Sequence, residues 1–156
     1  MKWSKVPKWF HDTGTIPPFA TEDEGAAAYA SYVNAVTEKQ FSGIRLGSED
    51  GEVVVLWEVP GQEPIAAGGL LDGLAEQGGY MPPMFEWTPN HGGTLYLARV
   101  MLEACDGKGA ADLYTHEFAD KIVSKLSRHQ WTLTEASIVA WVAAMDAATG
   151  RRDARR

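Results

Sequence analysis

The side chains best suited to acid–base, nucleophilic or metal chemistry in this sequence are four histidines and one cysteine: His11, His91, His116, His129 and Cys105. No two histidines lie four residues apart, and the His-Glu-x-x-His pattern of a helical zinc site does not occur. A single cysteine also excludes an internal disulfide and a cysteine-based zinc site. We expect Cys105 to be a small core residue, with a nucleophile served by a distant histidine as the alternative. The sequence therefore predicts no catalytic residue, no metal and no cofactor.

A glycine-rich turn is the strongest candidate for ligand binding. The segment Glu86–Thr94 places Gly92 and Gly93 directly before a predicted helix, where backbone N–H groups and the helix dipole can hold an anion. We treat His91, Gly92, Gly93 and Thr94 as a possible anion- or nucleotide-binding site. The turn is not a P-loop, because no lysine follows the glycines, and it lacks the three-glycine dinucleotide spacing. The alternative is a tight loop that only caps the helix.

The N-terminal residues 1–20 combine large aromatic side chains with prolines, which disfavour a helix. We expect an extended arm that packs onto the body. The alternative is that its aromatic side chains are exposed and mark a partner surface. If the protein acts by binding a partner, Trp3, Trp9 and Phe10 are the candidate anchors, because no helical or strand period would bury them. The predicted interface continues into the acidic start of the first helix, at Glu22, Asp23 and Glu24.

Charge is unevenly distributed along the chain. Fourteen basic and 21 acidic residues give a net charge of −7. The C-terminal residues 151–156 and the N-terminal residues 1–11 each contribute +3, which leaves −13 for residues 12–150. Such an acidic body repels nucleic acid, so nucleic-acid binding is not expected except through the basic tail. The charge favours solubility, or attraction to a partner with a basic surface.

The hydrophobic pattern predicts mainly helices with one small sheet. We expect helices over about 22–39, 95–105, 110–128 and from Thr134 onwards, a hairpin of strands 41–46 and 52–59, and a short third strand at 63–67. Thr21, Thr94 and Thr134 are the expected helix caps. Because strands and helices are segregated, the fold class is α+β, a hairpin or three-stranded sheet against a mainly helical body. We expect one domain over 1–150, a disordered tail over 151–156, and core positions for Trp57, Trp87, Trp131 and Trp141.

Several short blocks resemble the DUF6166 family of uncharacterised bacterial, archaeal and phage proteins. They are Phe41–Arg45 before a valine-rich strand, Phe85–Trp87 before the Gly92-Gly93 turn and a Leu-Ala-rich helix, an aromatic-bearing helix, and Trp131–Leu133 before Ile138, Trp141 and Val142. Together they span roughly the last two-thirds of the chain, and residues 1–40 look like an addition. The sequence departs from the family at 88–91, where a longer glycine-rich run is typical. The resemblance implies a fold and a mobile-element setting, and no activity.

We therefore expect a small non-enzymatic phage or mobile-element protein that acts by binding a host protein, as a host-takeover or anti-defence inhibitor. One alternative is a ligand-binding protein or enzyme using the Gly92-Gly93 turn. Another is a nucleic-acid-binding accessory protein using the basic tail. No secretory signal and no apolar run of about 18 residues is found, so we expect a cytoplasmic protein, in the host cytoplasm if phage-encoded, with no membrane partner.

Overall fold

The fold is a four-stranded antiparallel sheet with helices packed against it, in a computed structural model that describes residues 6, 7, 10, 21–46, 52–67 and 85–150. The helices are α1 (Glu22–Asn34), α2 (Gly92–Asp106), α3 (Lys108–Lys121) and α4 (Glu135–Thr149). The strands are β1 (Gln40–Arg45), β2 (Val53–Glu58), β3 (Ile65–Ala66) and β4 (Gln130–Thr134), in the order β3-β2-β1-β4. The predicted α+β class is confirmed.

Strand β4 is the element that the sequence analysis missed. Residues 130–134 were not predicted to form a strand, but they pair antiparallel with β1, with Gly43 opposite Trp131 and Phe41 opposite Leu133. The predicted hairpin of β1 and β2 and the short third strand are both present. Because β4 pairs with a strand distant in sequence, no local turn signal announces it. Strand β1 therefore lies in the middle of the sheet.

The two faces of β1 are both buried, because its residues alternate between two packed layers. On one face Phe41 joins Val55, Trp131 and the helical residues of the main core. On the other face Ser42 and its neighbour Glu58 on β2 are also buried. A strand buried on both faces is fixed in register, since a shift by one residue would exchange its polar and apolar sides.

The main core lies between the sheet and helices α2, α3 and α4. Trp87 and Trp131 are buried as expected, and their rings meet edge to face at 5.5 Å. Trp57 and Trp141 are only partly buried. The Trp141 ring packs edge to face against Phe118, with ring centroids 5.0 Å apart, so it closes the rim of the core rather than filling its centre.

The start of α2 differs from the prediction. The helix begins at Gly92, and His91 rather than Thr94 is its N-cap, with the imidazole Nδ1 accepting from the Gly93 N–H at 2.9 Å. Thr94 is instead buried, and its hydroxyl donates to the Thr88 carbonyl at 2.6 Å. The prediction failed because threonine is the commoner cap, whereas here a histidine supplies the acceptor.

The other helix ends are set by local chemistry. Thr21 and Thr134 cap α1 and α4 as predicted, through bonds to the N–H groups of Glu24 and Ser137. Helix α1 ends at Asn34, five residues before the predicted end. Helix α3 ends at Lys121, and a 3₁₀ turn over Val123–Lys125 follows it. Gly107 has φ +93°, which lets the chain turn from α2 into α3 without the strain that a side chain would cause.

Within the described residues, no helix combines the length and the apolar character that crossing a bilayer requires. Only residues 6, 7 and 10 of the predicted arm are described, and the predicted basic tail lies outside the described residues.

Gly43→Ala tests the packing of the sheet. A Cβ at this position would lie 2.2 Å from the Trp131 ring, so the ring or the strand must move. We expect the free energy of unfolding to fall by about 1–3 kcal/mol or more, measured by chemical denaturation. Gly109→Ala, at an exposed position in α3, is the matched control and is expected to be neutral or stabilising. Equal stability of both variants would show that Trp131 does not lie on β1 as described.

Candidate functional site

A cleft of about 300 Å³ lies where the start of α2 meets the end of α3. One wall is the predicted glycine-rich turn and the other is the α3 side, with polar lining residues His91, Asn90, Thr94, His116, Asp120 and Ser124. His116 was not predicted to be part of a site. Its spacing of four residues from Asp120 on one helix is the signal that would have placed both on one face.

Two backbone donors of the turn, those of Gly93 and Thr94, already have acceptors within the chain. The Gly93 N–H donates to His91 Nδ1, and the Thr94 N–H donates to the His91 carbonyl at 3.0 Å. Because Nδ1 accepts, the proton of the neutral imidazole sits on Nε2. These bonds fit the helix-capping interpretation of the turn, and anion binding by His91, Gly92, Gly93 and Thr94 stays a prediction.

The α3 side of the cleft is polar and open. His116 and Asp120 are exposed. The Ser124 hydroxyl donates its proton to the Asp120 backbone carbonyl at 2.5 Å, so this hydroxyl does not donate to a ligand in the cleft. In the part of the chain that the structure describes, no three His, Cys, Asp or Glu side chains come together as metal ligands. What the cleft offers chemically is two imidazoles and a carboxylate that can hydrogen-bond to a polar ligand.

Phe10, one of the predicted partner anchors, is buried. Its ring is 2% exposed and packs 5.3 Å from the Tyr29 ring and 5.5 Å from the Tyr32 ring. With Val6 it forms a small cluster on α1 that is separate from the main core. The expected packing of the arm therefore describes Phe10, and its candidate role as an exposed partner anchor is corrected. Trp3 and Trp9 lie outside the described residues.

The acidic part of the predicted interface is exposed. Glu22, Asp23 and Glu24 form the first turn of α1, held in place by the Thr21 cap. None of the three takes part in an ion pair with another described residue. Their carboxylates are favoured by the helix dipole at this end, which stabilises them without neutralising them.

A buried carboxylate ties α1 to the sheet. Glu58 is 1% exposed and accepts hydrogen bonds from the hydroxyls of Tyr32 and Ser42 and from Gln40 Nε2 at 3.1 Å. Burial, and then the hydrogen bond and charge of Glu58, raise the pKa of Tyr32 well above its usual range, so its hydroxyl remains a donor. Three donors compensate for the desolvation of this carboxylate.

A second polar cluster joins β1 to two loops. The side chain of Arg45 is 3% exposed, pairs with Glu86 at 2.5 Å and lies 4.9 Å from the centre of the Trp87 ring. Arg45 Nε and Trp87 Nε1 both donate to the Arg128 carbonyl, at 3.2 and 3.0 Å. Burial alone would raise the pKa of Glu86, but the hydrogen bonds from Arg45 and the Trp87 N–H, and the Arg45 charge, lower it. No sequence pattern predicted the contact between Arg45 and Glu86.

Cys105 is a partly buried free thiol on α2. Burial, together with the nearby charges of Glu135 and Asp106, raises its pKa to about 12. A thiol that stays protonated is a poor nucleophile, which agrees with the expectation of a core residue.

Comparison with known proteins gives one match. The family model described as a family of unknown function (DUF6166) matches residues 41–144, about two-thirds of the chain. No curated protein and no solved structure matches. The matched range contains both the cleft and the Arg45 cluster and leaves out α1.

Arg45→Met tests the buried ion pair. Removing the cation leaves the Glu86 carboxylate without its ion-pair partner. We therefore expect the free energy of unfolding near neutral pH, measured by chemical denaturation, to fall by about 3 kcal/mol. The folded-state pKa of Glu86 is lowered, so the stability that the pair contributes is present above the unfolded pKa and is lost as the pH falls through the folded pKa. The difference in free energy of unfolding between the unaltered protein and the Arg45→Met variant should therefore become smaller below about pH 4.

The control for this experiment is Arg99→Met, which removes a more exposed arginine paired with Glu103 and Asp112. For Arg99→Met we expect the free energy of unfolding to fall by less than about 1 kcal/mol. If both variants lost the same small amount, the Arg45 pair would not hold the loops together.

The Cys105 thiol should react slowly with a disulfide reagent such as DTNB. Because the pKa of the Cys105 thiol is raised from the ordinary 9.0 to about 12, the fraction present as thiolate at pH 8 is roughly a thousandth of the usual fraction. We expect full reaction only after unfolding in about 6 M guanidinium chloride. Native protein that labels as fast as the unfolded chain would contradict this assignment.

Proposed function

The chain belongs to the DUF6166 family of unknown function, and from that premise we propose that it acts without turnover, as a mobile-element or phage protein that binds and inhibits a host protein in the cytoplasm. The contact lies on the acidic first turn of α1, and the partner presents a basic surface. The mobile-element setting comes from the family resemblance. The choice of surface comes from the described residues.

The observation that carries the proposal is a set of three adjacent, exposed carboxylates on a capped helix end. Glu22, Asp23 and Glu24 are held in a regular helical turn by the Thr21 hydroxyl, which accepts from the Glu24 N–H at 3.2 Å. Because the backbone is already ordered, little conformational entropy is lost when a partner binds there. Because no described cation pairs with these carboxylates, their charge is available to the partner.

The surrounding charge supports a basic partner. Over the described residues, 15 acidic side chains face 7 basic ones. Glu63 also lies near α1, since its charge adds to burial in raising the pKa of Tyr29. A field of one sign speeds the encounter with a partner of the opposite sign and disfavours partners of the same sign. Nucleic acid is such a like-charged partner.

The ligand-binding alternative has less support. Of its backbone donors at the start of α2, the N–H groups of Gly93 and Thr94 already bond to His91. An anion would have to replace these bonds, which lowers the gain from binding.

The test is affinity capture from a host lysate with a charge-neutralised variant. Glu22→Gln, Asp23→Asn and Glu24→Gln are combined, and retained proteins are quantified by mass spectrometry at about 50 and 500 mM salt. We expect the unaltered protein to retain a partner with a basic surface, and the variant to retain at least about tenfold less. Higher salt should have the same effect as the substitutions.

The matched control combines Glu38→Gln, Glu52→Gln and Asp112→Asn, which removes the same charge from exposed positions elsewhere. This control should retain the partner at low salt. Equal loss in both variants would attribute binding to net charge alone. A partner retained by both variants at high salt would place the interface elsewhere and contradict the proposal.

A further inference from the structure

Two separate apolar clusters divide the described chain into an N-terminal and a C-terminal part. The small cluster contains side chains of the arm and of α1 alone: Val6, Phe10, Ala26 and Tyr29, with Ala28, Tyr32 and Val33 beside them. Every member of the main core instead lies between Phe41 and Met145. The family match, over residues 41–144, covers nearly the same range as the main core. Side-chain packing and the family match therefore place the same boundary, between α1 and β1.

A hydrogen bond between side chains joins the two parts. The Tyr32 hydroxyl on α1 donates to the Glu58 carboxylate on β2, which also accepts from Ser42 and Gln40 of the sheet. Glu58 is 1% exposed, and no described lysine or arginine forms an ion pair with it. A buried carboxylate without a cation depends on its neutral donors. The contact with Tyr32 is therefore important as long as Glu58 stays buried.

Water can replace this hydrogen bond once α1 moves away from the sheet. The Glu58 carboxylate and the Tyr32 hydroxyl would then both be hydrated, so the net cost of separating them is small. The main core would stay intact, because none of its side chains comes from α1. Helix α1 has 13 residues, and a helix of about that length is marginal in water without packing. A detached α1 is therefore expected to unfold, at the cost of the small cluster only.

We infer that α1 and the arm residues packed on it form a second cooperative unit, which detaches reversibly from the family core and is held there by the hydrogen bond from Tyr32 to Glu58. Units of this kind open with a lower free energy than the whole protein, and they often coincide with a structural motif. Here the unit is one helix with the side chains of Val6 and Phe10 packed on it. In the detached state the Glu58 carboxylate is open to water.

Detachment of this unit controls the acidic turn of the proposed interface. Glu22, Asp23 and Glu24 form an ordered turn only while α1 is helical, so the attached fraction of the protein presents that turn and the detached fraction does not. A partner that binds the ordered turn shifts the population towards the attached state. This consequence rests on the proposed function. The cooperative unit and its hydrogen bond do not, because they are properties of the protein without a partner.

Hydrogen exchange of the full chain without a partner, followed by mass spectrometry at about 0–2 M urea, tests the inference. In the unaltered protein, the amides of α1 should have protection factors at least about tenfold lower than those of α2, with a weaker dependence on urea. Tyr32→Phe should lower the protection of α1 by about a further tenfold, because Glu58 then stays buried with one donor fewer. The protection of α2, α3 and α4 should not change.

The matched control is Tyr29→Phe, which removes a hydroxyl from the same cluster. Tyr29 is 5% exposed, and its hydroxyl makes no hydrogen bond to another described residue. This substitution should change the protection of α1 by less than about threefold. If Tyr32→Phe lowered the protection of every helix equally, α1 would open only together with the whole protein, and the inference would be overturned. An equal effect of both substitutions on α1 would overturn the role of the Tyr32 hydroxyl in holding the unit.

Discussion

The close contact between the Trp131 ring and the backbone of Gly43 is the constraint on which the rest of the fold depends. Because Gly43 has no side chain, the indole lies directly on β1, and this brings β4 into pairing distance. The contact has a cost, since the buried Trp131 Nε1 has no hydrogen-bond partner among the residues that the structure describes. The ring then meets Trp87 at its edge, and Trp87 lies under the Arg45 guanidinium. The loop that leads to α2 is thereby attached to the central strand.

The parts of the fold that the sequence predicted are those with local signals. Thr21 and Thr134 indicate the starts of two helices, and the valines of β2 next to a turn indicate a hairpin. Strand β4 could not be predicted from a local pattern, because its partner strand lies some 90 residues away and only the three-dimensional pairing makes it a strand. The N-cap of α2 was misplaced because a histidine accepts the hydrogen bond that a hydroxyl usually accepts.

The candidate sites were predictable to different degrees. The exposure of the acids at Glu22–Glu24 follows from their place in a first helical turn. Packing of the arm was expected, but the surface that buries Phe10 was not identified, because the rings of Tyr29 and Tyr32 on α1 form it and no local pattern in the arm indicates them. The cleft beside His91 needs the packing of α3 on α2, which brings His116 and Asp120 next to a turn from another part of the chain. The N-terminal cluster, joined to the sheet by Tyr32 and Glu58, lies outside the family-matched range.

The order of strands has a consequence for folding during synthesis. Strand β1 is synthesised early, but β4, one of its two neighbours in the sheet, follows only at residues 130–134. One of the two hydrogen-bonding edges of β1 therefore stays unpaired while the residues between them are translated. Contacts so far apart in sequence raise the contact order and slow the final step of folding. Until Trp131 emerges, the bare backbone of Gly43 and the edge of β1 are open to pairing with other strands, and the nascent chain is most exposed to aggregation in that interval.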